Sequence, residues 1–385
     1  MADFVIFGAG KIARGFIAHL LFLSDYTFAF VEANDEMVSM LNRRGSYTVH
    51  VYGAPEKNTT IKGYKALSIR DTAGIRAAMK NAKAVFTAVG GKNLAAVAPV
   101  LADALRSVHP NAINVITCEN WKQPAELLKN EVARLAPDAA AGFAEAVVMR
   151  SAIEPSAELL SLDPLTVCVQ DYWHLPVDAD RLAVPLPDIA GVEPIKDFSG
   201  FLERKFYTYN AANGTASYLG AMFGHTLIAD AAHDERVVEV LQSVYRETGE
   251  ALSKRHGIPL DEQMAFAETS FQKLRDRAII DTIERNARDP IRKLGPDDRL
   301  VGPARMVSSC EVKPAGLASA IAAAAHYTND DDPSAAALRQ MREQSGVAGI
   351  LREICRIEPN EPLFNLVMQK EQEMRKRGWI KLKSQ

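Results

Sequence analysis

The sequence predicts two domains: an α/β domain built on a parallel sheet, followed by a mainly α-helical domain. In the first half, short apolar runs bounded by glycine alternate with helical segments, which is the pattern of a parallel sheet. After about Asp197 the strand signals nearly vanish, and long alanine-, leucine- and arginine-rich segments with helical spacing follow. A chain of 385 residues is also too long for one ordinary core. A proline-punctuated stretch joins the two patterns, so we expect domains at residues 1–194 and 195–385.

The individual elements follow from local patterns. Apolar runs closed by glycine or polar residues predict strands at residues 3–7, 26–31, 84–89, 112–117 and 165–172. Helical spacing of alanine and leucine predicts helices at residues 16–23, 94–108, 235–256, 261–274 and 314–325. The acidic run at 329–332 precedes Pro333, so we interpret it as a solvated turn and helix start rather than a metal site.

Composition and charge narrow the classes of partner. The hydrophobic and charged contents, 48% and 24%, are those of a soluble globular protein, and the net charge of −3 predicts neither a nucleic-acid nor an acidic-membrane surface. No apolar run approaches the length of a membrane span, and the start of the chain lacks a basic signal region, so we expect a cytoplasmic protein. The four cysteines form no CxxC pair, so we expect reduced thiols and no metal site.

A glycine pattern follows the first predicted strand and opens a helix. Gly8 and Gly10, with Ala13 three residues later, allow a tight turn and a close approach of the backbone to a pyrophosphate. This context, a strand followed by the glycines and a helix, supports a dinucleotide site of the Rossmann type. A glycine turn without a nucleotide is the alternative. The residues that we expect to contact the cofactor here are Gly8, Ala9, Gly10, Lys11 and Ile12.

Glu32 ends the second predicted strand, about 20 residues after the glycines. A carboxylate at this position accepts hydrogen bonds from the adenosine ribose and repels a 2′-phosphate, so it favours NAD over NADP. A surface glutamate after a strand is the alternative. Asn34 and the arginines at 43 and 44 lie nearby in sequence and leave some NADP tolerance open.

Two later strands end in small or polar residues. Ala88, Val89 and Gly90 close one predicted strand, where small residues allow contact between the cofactor and the backbone. Glu119 and Asn120 close the next strand, where we expect them to orient the nicotinamide carboxamide, the substrate or a catalytic group. A structural cap explains either polar residue, taken alone, equally well.

Lys205, Asn210 and Asn213 form a second group of chemically suitable residues. Removing hydride from a secondary alcohol requires a base for the hydroxyl proton and donors for the developing alkoxide. A desolvated lysine with a lowered pKa serves as a base, and amide side chains serve as donors. On sequence alone, a solvated lysine on an amphipathic helix and an Asn-Gly turn are the alternatives.

These motifs occur together in a known family. The chain resembles the polyol-specific long-chain dehydrogenase/reductase family, also called the mannitol dehydrogenase family, and most of all its mannitol-phosphate branch. In the first half the similar segments are FGAGKIARGFI at 7–17, TAVG at 87–90 and CEN at 118–120. In the second half they are ERKFYTYN at 203–210, YLG at 218–220, GH at 224–225, RKL at 292–294, DRL at 298–300, AHY at 325–327 and DDP at 331–333.

The resemblance implies a metal-free, NAD-dependent oxidoreductase that interconverts a polyol phosphate and a ketose phosphate, with mannitol 1-phosphate and fructose 6-phosphate as the type pair. It implies that Lys205 is the catalytic base and Asn210 an oxyanion donor. The family histidine falls on Asn213, which donates a hydrogen bond but cannot share a proton as imidazole does. His225 is a conceivable substitute, and simple packing is the alternative for it.

The resemblance also suggests substrate-binding cations. Arg292, Lys293 and Arg299 lie in a segment similar to the mannitol-phosphate branch, and guanidinium groups suit phosphate oxygens. An exposed basic helix end is the alternative. Arg150 resembles the arginine of a family Asp-Arg pair in which Met149 replaces the acid, so Arg150 is a further candidate.

Other functions remain open at this level. The departures at Asn213 and Met149 also fit a relative acting on another polyol, a sugar acid or a sugar–amino acid conjugate. A catalytically weak NAD-binding sensor is a hypothesis from a different class. In each case we expect a small-molecule substrate and a monomer or small homo-oligomer. We also expect the helical half to bind the substrate and to close a cleft between the domains.

Overall fold

The computed structural model describes residues 2–108 and 111–380. The chain forms two compact units, Met1–Phe198 and Ser199–Gln385. The first contains a parallel sheet flanked by helices, and the second is built from helices, so the predicted fold class is confirmed.

A six-stranded parallel sheet with the order β5-β2-β1-β6-β7-β8 organises the first unit. All four residues of its central strand β1 are buried, as expected for a strand covered on both faces. The strands in chain order are β1 Phe4–Phe7, β2 Phe28–Glu32, β3 Ser46–Val51, β4 Thr59–Lys62, β5 Lys65–Ser68, β6 Ala84–Thr87, β7 Ile113–Thr117, β8 Ala141–Glu145, β9 Ala152–Ile153, β10 Val167–Val169, β11 Leu175–Asp178 and β12 Val192–Ile195.

Helices and a second sheet cover this central sheet. One apolar core includes side chains of α3, α4 and α5, and the other includes side chains of the second sheet, whose order is β4-β3-β10-β9. The strands β11 and β12 pair with each other. The helices of this unit are α1 Ala18–Leu23, α2 Asp35–Arg44, α3 Thr72–Met79, α4 Leu94–Arg106, α5 Pro124–Leu135 and α6 Ala157–Leu162.

The second sheet is the main feature that the sequence did not predict. Burial alternates along β3, because one face packs on the core and the other does not, and this weaker pattern lacks a continuous apolar run. The strand predicted at 165–172 is only Val167–Val169, and it belongs to this second sheet.

The second unit is helical throughout its named elements. Its long helix α10 has the predicted bounds, because Asp234 caps its first turn and Gly257 ends it in the left-handed conformation. Every residue of α15 from Gly316 to Ala325 is buried, so this alanine-rich helix is the centre of the core. The helices are α7 Phe198–Lys205, α8 Ala211–Met222, α9 Ile228–Ala231, α10 Glu235–His256, α11 Leu260–Arg275, α12 Ile283–Ala287, α13 Pro290–Lys293, α14 Val301–Ser309, α15 Ala315–Ala325, α16 Pro333–Glu353 and α17 Pro362–Lys376.

The acidic run before α16 behaves as a helix start. The Asp332 carboxylate accepts a hydrogen bond from the Ser334 N–H, which caps the helix. Within residues 2–108 and 111–380, no cluster of three or more histidine, cysteine or acidic side chains is arranged to hold a metal ion. No helix in the same ranges is both long and apolar enough to cross a membrane.

Candidate active site

The predicted cofactor residues of the first unit follow three neighbouring strands. In the sheet β1 pairs with β6 and β6 pairs with β7, so the loops after these strands meet at one edge. The segments concerned are Gly8 to Ile12 after β1, Ala88 to Gly90 after β6, and Glu119 with Asn120 after β7. The strand order reverses direction beside β1, and such switch points are where open α/β sheets bind ligands.

The two glycines of the first loop serve different purposes. Gly8 has a φ of 96°, and a Cβ there would lie 2.5 Å from the Ala88 carbonyl oxygen, so the fold itself requires glycine. At Gly10 a Cβ would meet no atom within 4 Å. The open space beside the Gly10 backbone, at the start of a helix, is a cradle that fits a pyrophosphate.

The helix after these glycines starts irregularly. Residues Ala13–Ile17 form one π-helical turn, which continues into α1, and π turns occur often at functional sites. The ammonium group of Lys11 forms an ion pair with Glu154, and Ile12 packs against the core between the two sheets. Lys11 is therefore already engaged within the first unit.

Glu32 connects the end of β2 to the glycine loop. Its Oε2 accepts a hydrogen bond from the Ala9 N–H at 2.7 Å, and its Oε1 accepts from the N–H groups of Ala33 and Asn34 at 2.8 and 3.0 Å. A carboxylate oxygen can accept two hydrogen bonds, and Oε2 accepts one here, so the group remains competent to accept ribose hydroxyls. The predicted position is thus beside the loop that it is expected to serve.

Glu119 has the most constrained environment at this edge. Its oxygens accept hydrogen bonds from the N–H groups of Val89 and Gly90, at 2.9 and 2.8 Å, and from the Thr87 hydroxyl at 3.2 Å. The side chain is buried, and that burial raises the pKa of the carboxyl group. Glu119 therefore holds the loop after β6 in place, which makes its effect on a cofactor indirect. The neighbouring Asn120 is exposed.

The second group lies at the start of α8. A π-helical turn, Phe206–Asn210, joins α7 to α8, and the Ala211 N–H donates to the Phe206 carbonyl five residues earlier. Residues five apart are therefore about one turn apart here, which brings Lys205 and Asn210 to the same side of the helix. Asn213 follows Asn210 by three residues on α8 and shares that face. The sequence predicted this trio but not the π turn that aligns it.

The polar ends of these three side chains are available for chemistry. All three residues are half-buried. In the part of the chain that the structure describes, the Lys205 ammonium and the side-chain amides of Asn210 and Asn213 form no hydrogen bond or ion pair. Burial, with a smaller contribution from the Arg299 charge, lowers the pKa of Lys205. The arrangement is a desolvated amine beside two free amides.

Further cations surround Lys205. The Arg299 side chain packs on the α8 backbone, where a Cβ on Gly214 would lie 3.1 Å from its Cδ, and its Nε donates to Asp298 at 2.9 Å. Lys293 is 4% exposed, its ammonium group donates to the Asn286 carbonyl, and burial with the charge of Arg299 lowers its pKa to about 8. The charge of Arg299 therefore acts on both Lys205 and Lys293.

Lys273 on α11 belongs to the same group and was missed at the sequence level. Burial, followed by the charge of Lys205, lowers the pKa of Lys273 to about 8. It lies 68 positions from Lys205 in sequence, within a helix whose other charged residues give no local signal. Only the tertiary fold brings it near the candidate base.

Two other residues predicted to bind substrate, Arg292 and His225, are paired with aspartate side chains. Arg292 is more than half exposed and pairs with Asp289 and Asp298, each at 2.9 Å. His225 lies beyond the end of α8, opposite the end that carries Asn213, and its Nε2 is 2.9 Å from the Asp234 carboxylate. These contacts anchor helix ends, so neither side chain is free in the way that Lys205 is.

Arg150 lies inside the first unit. It is 2% exposed, its Nε donates to the Gln170 carbonyl at 2.8 Å, and its Nη1 donates to the Gly15 carbonyl at 3.1 Å. The guanidinium also lies over the Trp173 ring, at 4.3 Å from its centre. In this environment Arg150 ties the second sheet to the π turn, and the expected substrate contact of Arg150 stays a prediction.

Comparisons with known proteins agree with this division of the chain. A family model for the mannitol dehydrogenase Rossmann domain matches residues 2–191, and one for the mannitol dehydrogenase C-terminal domain matches residues 197–374. Mannitol-1-phosphate 5-dehydrogenase of Bacillus licheniformis is 35% identical over 369 residues, which cover 94% of this chain and 97% of that protein. The enzyme of that name from Geobacillus thermodenitrificans is 34% identical, covering 97% and 99%.

A solved structure shows the same fold at low identity. A D-sorbitol dehydrogenase, in substrate-free form, superposes with a TM-score of 0.81 at 15% identity, covering 98% of this chain and 94% of that one. The two family models together span nearly the whole sequence, and the relatives match along almost their full length. The chain therefore belongs to the mannitol dehydrogenase family.

Proposed function

We propose that this protein is an NAD-dependent oxidoreductase that interconverts a polyol phosphate and a ketose phosphate, D-mannitol 1-phosphate and D-fructose 6-phosphate in the first instance. The names of the relatives support the reaction class. The observation that carries the proposal is the free, half-buried Lys205 with a lowered pKa, beside two free amides and a group of cations.

The first unit supplies the cofactor site in this proposal. The glycine loop, the small residues after β6 and Glu32 hold the dinucleotide, and Glu119 keeps the loop after β6 in position. A dinucleotide held there would supply the hydride acceptor for the carbon that is oxidised. The carboxylate of Glu32 disfavours a 2′-phosphate by charge, which is why we assign NAD rather than NADP.

The trio on α7 and α8 handles the proton. Lys205, in its neutral form, takes the proton of the substrate hydroxyl, and the ammonium that results returns it during ketose reduction. Asn210 and Asn213 donate hydrogen bonds to the oxygen as negative charge develops on it. Because burial and Arg299 disfavour the ammonium form, the neutral base is populated at a lower pH than for a solvated lysine.

The surrounding cations account for a phosphorylated substrate. Arg299 and Lys293 repel each other and are partly desolvated. A dianionic phosphate bound beside them would offset this electrostatic repulsion. Lys273 adds a further positive charge close to Lys205. Asp298 orients the Arg299 guanidinium through Nε, which leaves its remaining N–H groups for phosphate oxygens.

The test compares fructose 6-phosphate with fructose, using NADH oxidation as the readout. We expect turnover with the phosphate ester and a far weaker reaction with the free sugar. Arg299→Gln should raise the KM for fructose 6-phosphate about tenfold to a hundredfold, because one charge-assisted hydrogen-bonding group is lost. Arg352→Gln, an exposed arginine on α16, is the matched control. Equal turnover of both sugars, or an unchanged KM in Arg299→Gln, contradicts a phosphate site at these cations.

Asn213 favours a second candidate, a dehydrogenase for another polyol, a sugar acid or a sugar–amino acid conjugate. The family histidine is replaced there, so the polar groups around the reacting carbon differ from those of the mannitol-phosphate branch. A panel of ketoses, sugar acids and conjugates, each assayed with NADH, separates the candidates. Tight NADH binding without turnover of any compound in the panel supports the sensor hypothesis instead.

A further inference from the structure

The helical unit contains a cavity whose lining includes none of the candidate active-site residues. Its volume is about 820 Å³, which is the size of a pocket for a small metabolite. The C-terminal end of α8, the end of α15 and the residues after α17 form its walls. Lys205, Asn213, Lys273 and the arginines at 292 and 299 are absent from the lining, so the cavity is separate from the site described above.

The cavity wall carries several basic side chains. Arg236, Arg342, Arg377 and His326 line it and no aspartate or glutamate does, although the His326 Nε2 lies 3.0 Å from the Glu371 carboxylate. Arg342 forms no ion pair in residues 2–108 and 111–380, and its Nη1 donates to the Ala325 carbonyl at 2.7 Å. Burial disfavours the charged form of this half-buried guanidinium and lowers its pKa, although the charges of Glu343 and Glu371 act in the opposite direction. A bound anion would stabilise the charged form further.

The other two arginines are held in fixed positions. The Arg236 guanidinium lies 3.8 Å from the centre of the Phe223 ring, and that of Arg377 lies 5.0 Å from the Trp379 ring. The two rings contact each other edge to face at 5.1 Å. These stacked contacts fix the side chains of Arg236 and Arg377 in the absence of a ligand. Because the two side chains are already ordered, ligand binding costs less conformational entropy.

A carboxylate outside the wall pairs with each of these two arginines. Arg236 pairs with Asp234 at 2.5 Å, and Arg377 pairs with Glu239 at 3.2 Å. A guanidinium has five N–H donors, so each arginine retains donors after such a pair. With Arg342, the wall therefore presents guanidinium N–H donors that Asp234 and Glu239 do not occupy.

We propose that this cavity binds a small phosphate-bearing metabolite through Arg342, Arg236 and Arg377, as a site distinct from the active site. A phosphate monoester carries up to two charges and three acceptor oxygens, which matches several guanidinium groups converging on one space. The apolar part of the ligand lies against Tyr218 and Trp379, which supply the aromatic surface of the same wall.

Trp379 makes the proposal directly testable. The chain has three tryptophans, and Trp379 is the one that lines the cavity, whereas Trp121 and Trp173 belong to the first unit. The full-length protein is titrated with inorganic phosphate, and in parallel with fructose 6-phosphate, at constant ionic strength set with sodium chloride. The titrations use the Arg299→Gln background, which suppresses binding at the active-site cations.

We expect a saturable change in tryptophan emission that disappears in Trp379→Phe. Arg342→Gln should weaken phosphate binding at least tenfold, while the KM for fructose 6-phosphate, measured with Arg299 intact, stays within about twofold of the wild-type value. Thr328→Glu provides a second variant, because it adds a negative charge at an exposed wall position without removing a structural contact, and it should weaken binding similarly.

Three outcomes would overturn the proposal. The first is no saturable emission change with either phosphate compound, and the second is a change that persists in Trp379→Phe. The third is phosphate affinity unaltered in both Arg342→Gln and Thr328→Glu. A large rise in KM in Arg342→Gln, with normal folding by circular dichroism, would instead make Arg342 part of the active site and equally reject a separate site.

Discussion

Two regions differ in how their polar side chains are bonded. One is the strand-end edge of the first unit, the loops that follow β1, β2, β6 and β7, and the other is the start of α8 in the second unit. At the strand ends, the carboxylates of Glu32 and Glu119 are occupied by backbone N–H groups of neighbouring loops. At the start of α8, the ends of Lys205, Asn210 and Asn213 have no hydrogen-bond partner in the described residues. The first region is organised by its own contacts, and the second keeps its functional groups free.

This difference reflects the tasks that we assign to the two regions. A cofactor site benefits from a backbone that is already held in the bound conformation, so its acidic side chains serve the loops. A proton-transferring group must be able to change charge and partner, so it is left desolvated and unpaired. Both regions nevertheless begin a helix with a π turn, Ala13–Ile17 in one and Phe206–Asn210 in the other.

The largest effect is expected at the free amine. Lys205→Met should lower kcat about 10³-fold, because the base is lost, while the Kd for NADH stays at its wild-type value. Lys313→Met, an exposed lysine of the same unit, is the control and should leave both constants unchanged. Stopped-flow kinetics and NADH fluorescence provide the two measurements. A parallel loss of NADH binding in Lys205→Met would show that the two regions are not functionally separate.

Substitutions of Gly8 and Gly10 separate the structural role of the loop after β1 from its role in cofactor binding. Gly8→Ala should lower the free energy of unfolding by about 3 kcal/mol, because its Cβ would overlap the Ala88 carbonyl at a positive φ. Gly10→Ala should keep wild-type stability in urea denaturation but raise the Kd for NADH at least about tenfold, because its Cβ occupies the open cradle. If Gly10→Ala lowers the free energy of unfolding as much as Gly8→Ala does, Gly10 is required by the fold rather than by the cofactor.

A smaller effect is expected from weakening one carboxylate of the strand-end edge. Glu119→Gln replaces one accepting oxygen with an NH₂ group that faces a backbone N–H donor. The unsatisfied donor destabilises the loop after β6 by about 1–3 kcal/mol. The KM for NADH should rise about tenfold with kcat little changed. Glu158→Gln, at an exposed position, is the control. A loss in kcat alone would place Glu119 in the chemical step.

The smallest effect concerns the departure from the family pattern. Asn213→His restores an imidazole beside Lys205, and we expect kcat for fructose 6-phosphate to rise by less than about tenfold, since Asn213 already donates one hydrogen bond. A gain of about a hundredfold or more would mean that the natural site is impaired, as the sensor hypothesis requires. A fall in kcat would mean that the pocket is shaped around the amide.

Some of these features were predictable because they are local. The strand before Gly8 and the carboxylate at the end of β2 are coded by short patterns that the fold preserves. The cap and end of α10 were predictable for the same reason. In contrast, the approach of Lys273 to Lys205 depends on the packing of α11 near α8, and no local pattern carries it.

The π turns and the second sheet were unpredictable for a different reason. A π turn adds one residue to an otherwise helical pattern, and nothing in the sequence of Phe206–Asn210 distinguishes a π turn from an α-helical turn. The strand β3 owes its place to its pairing with β10, which lies more than a hundred residues later in the chain. The burial of Arg150 beneath the second sheet was likewise not predictable, because it depends on this same long-range pairing.

The central claim is that Lys205 is a base whose pKa is lowered by its surroundings, and the pH dependence of kcat/KM for mannitol 1-phosphate oxidation tests it most directly. Because neutral Lys205 is the active form, the rate should rise with pH through the lowered pKa of Lys205, below the pH at which a solvated lysine titrates. Loss of charge on Lys273 and Lys293, whose pKa values burial lowers to about 8, weakens phosphate binding and reduces the rate over the range in which they deprotonate. In Arg299→Gln the repulsion is removed, so the rising limb should move to higher pH. A rising limb at the pH of a solvated lysine, unmoved by Arg299→Gln, would contradict the assignment of Lys205.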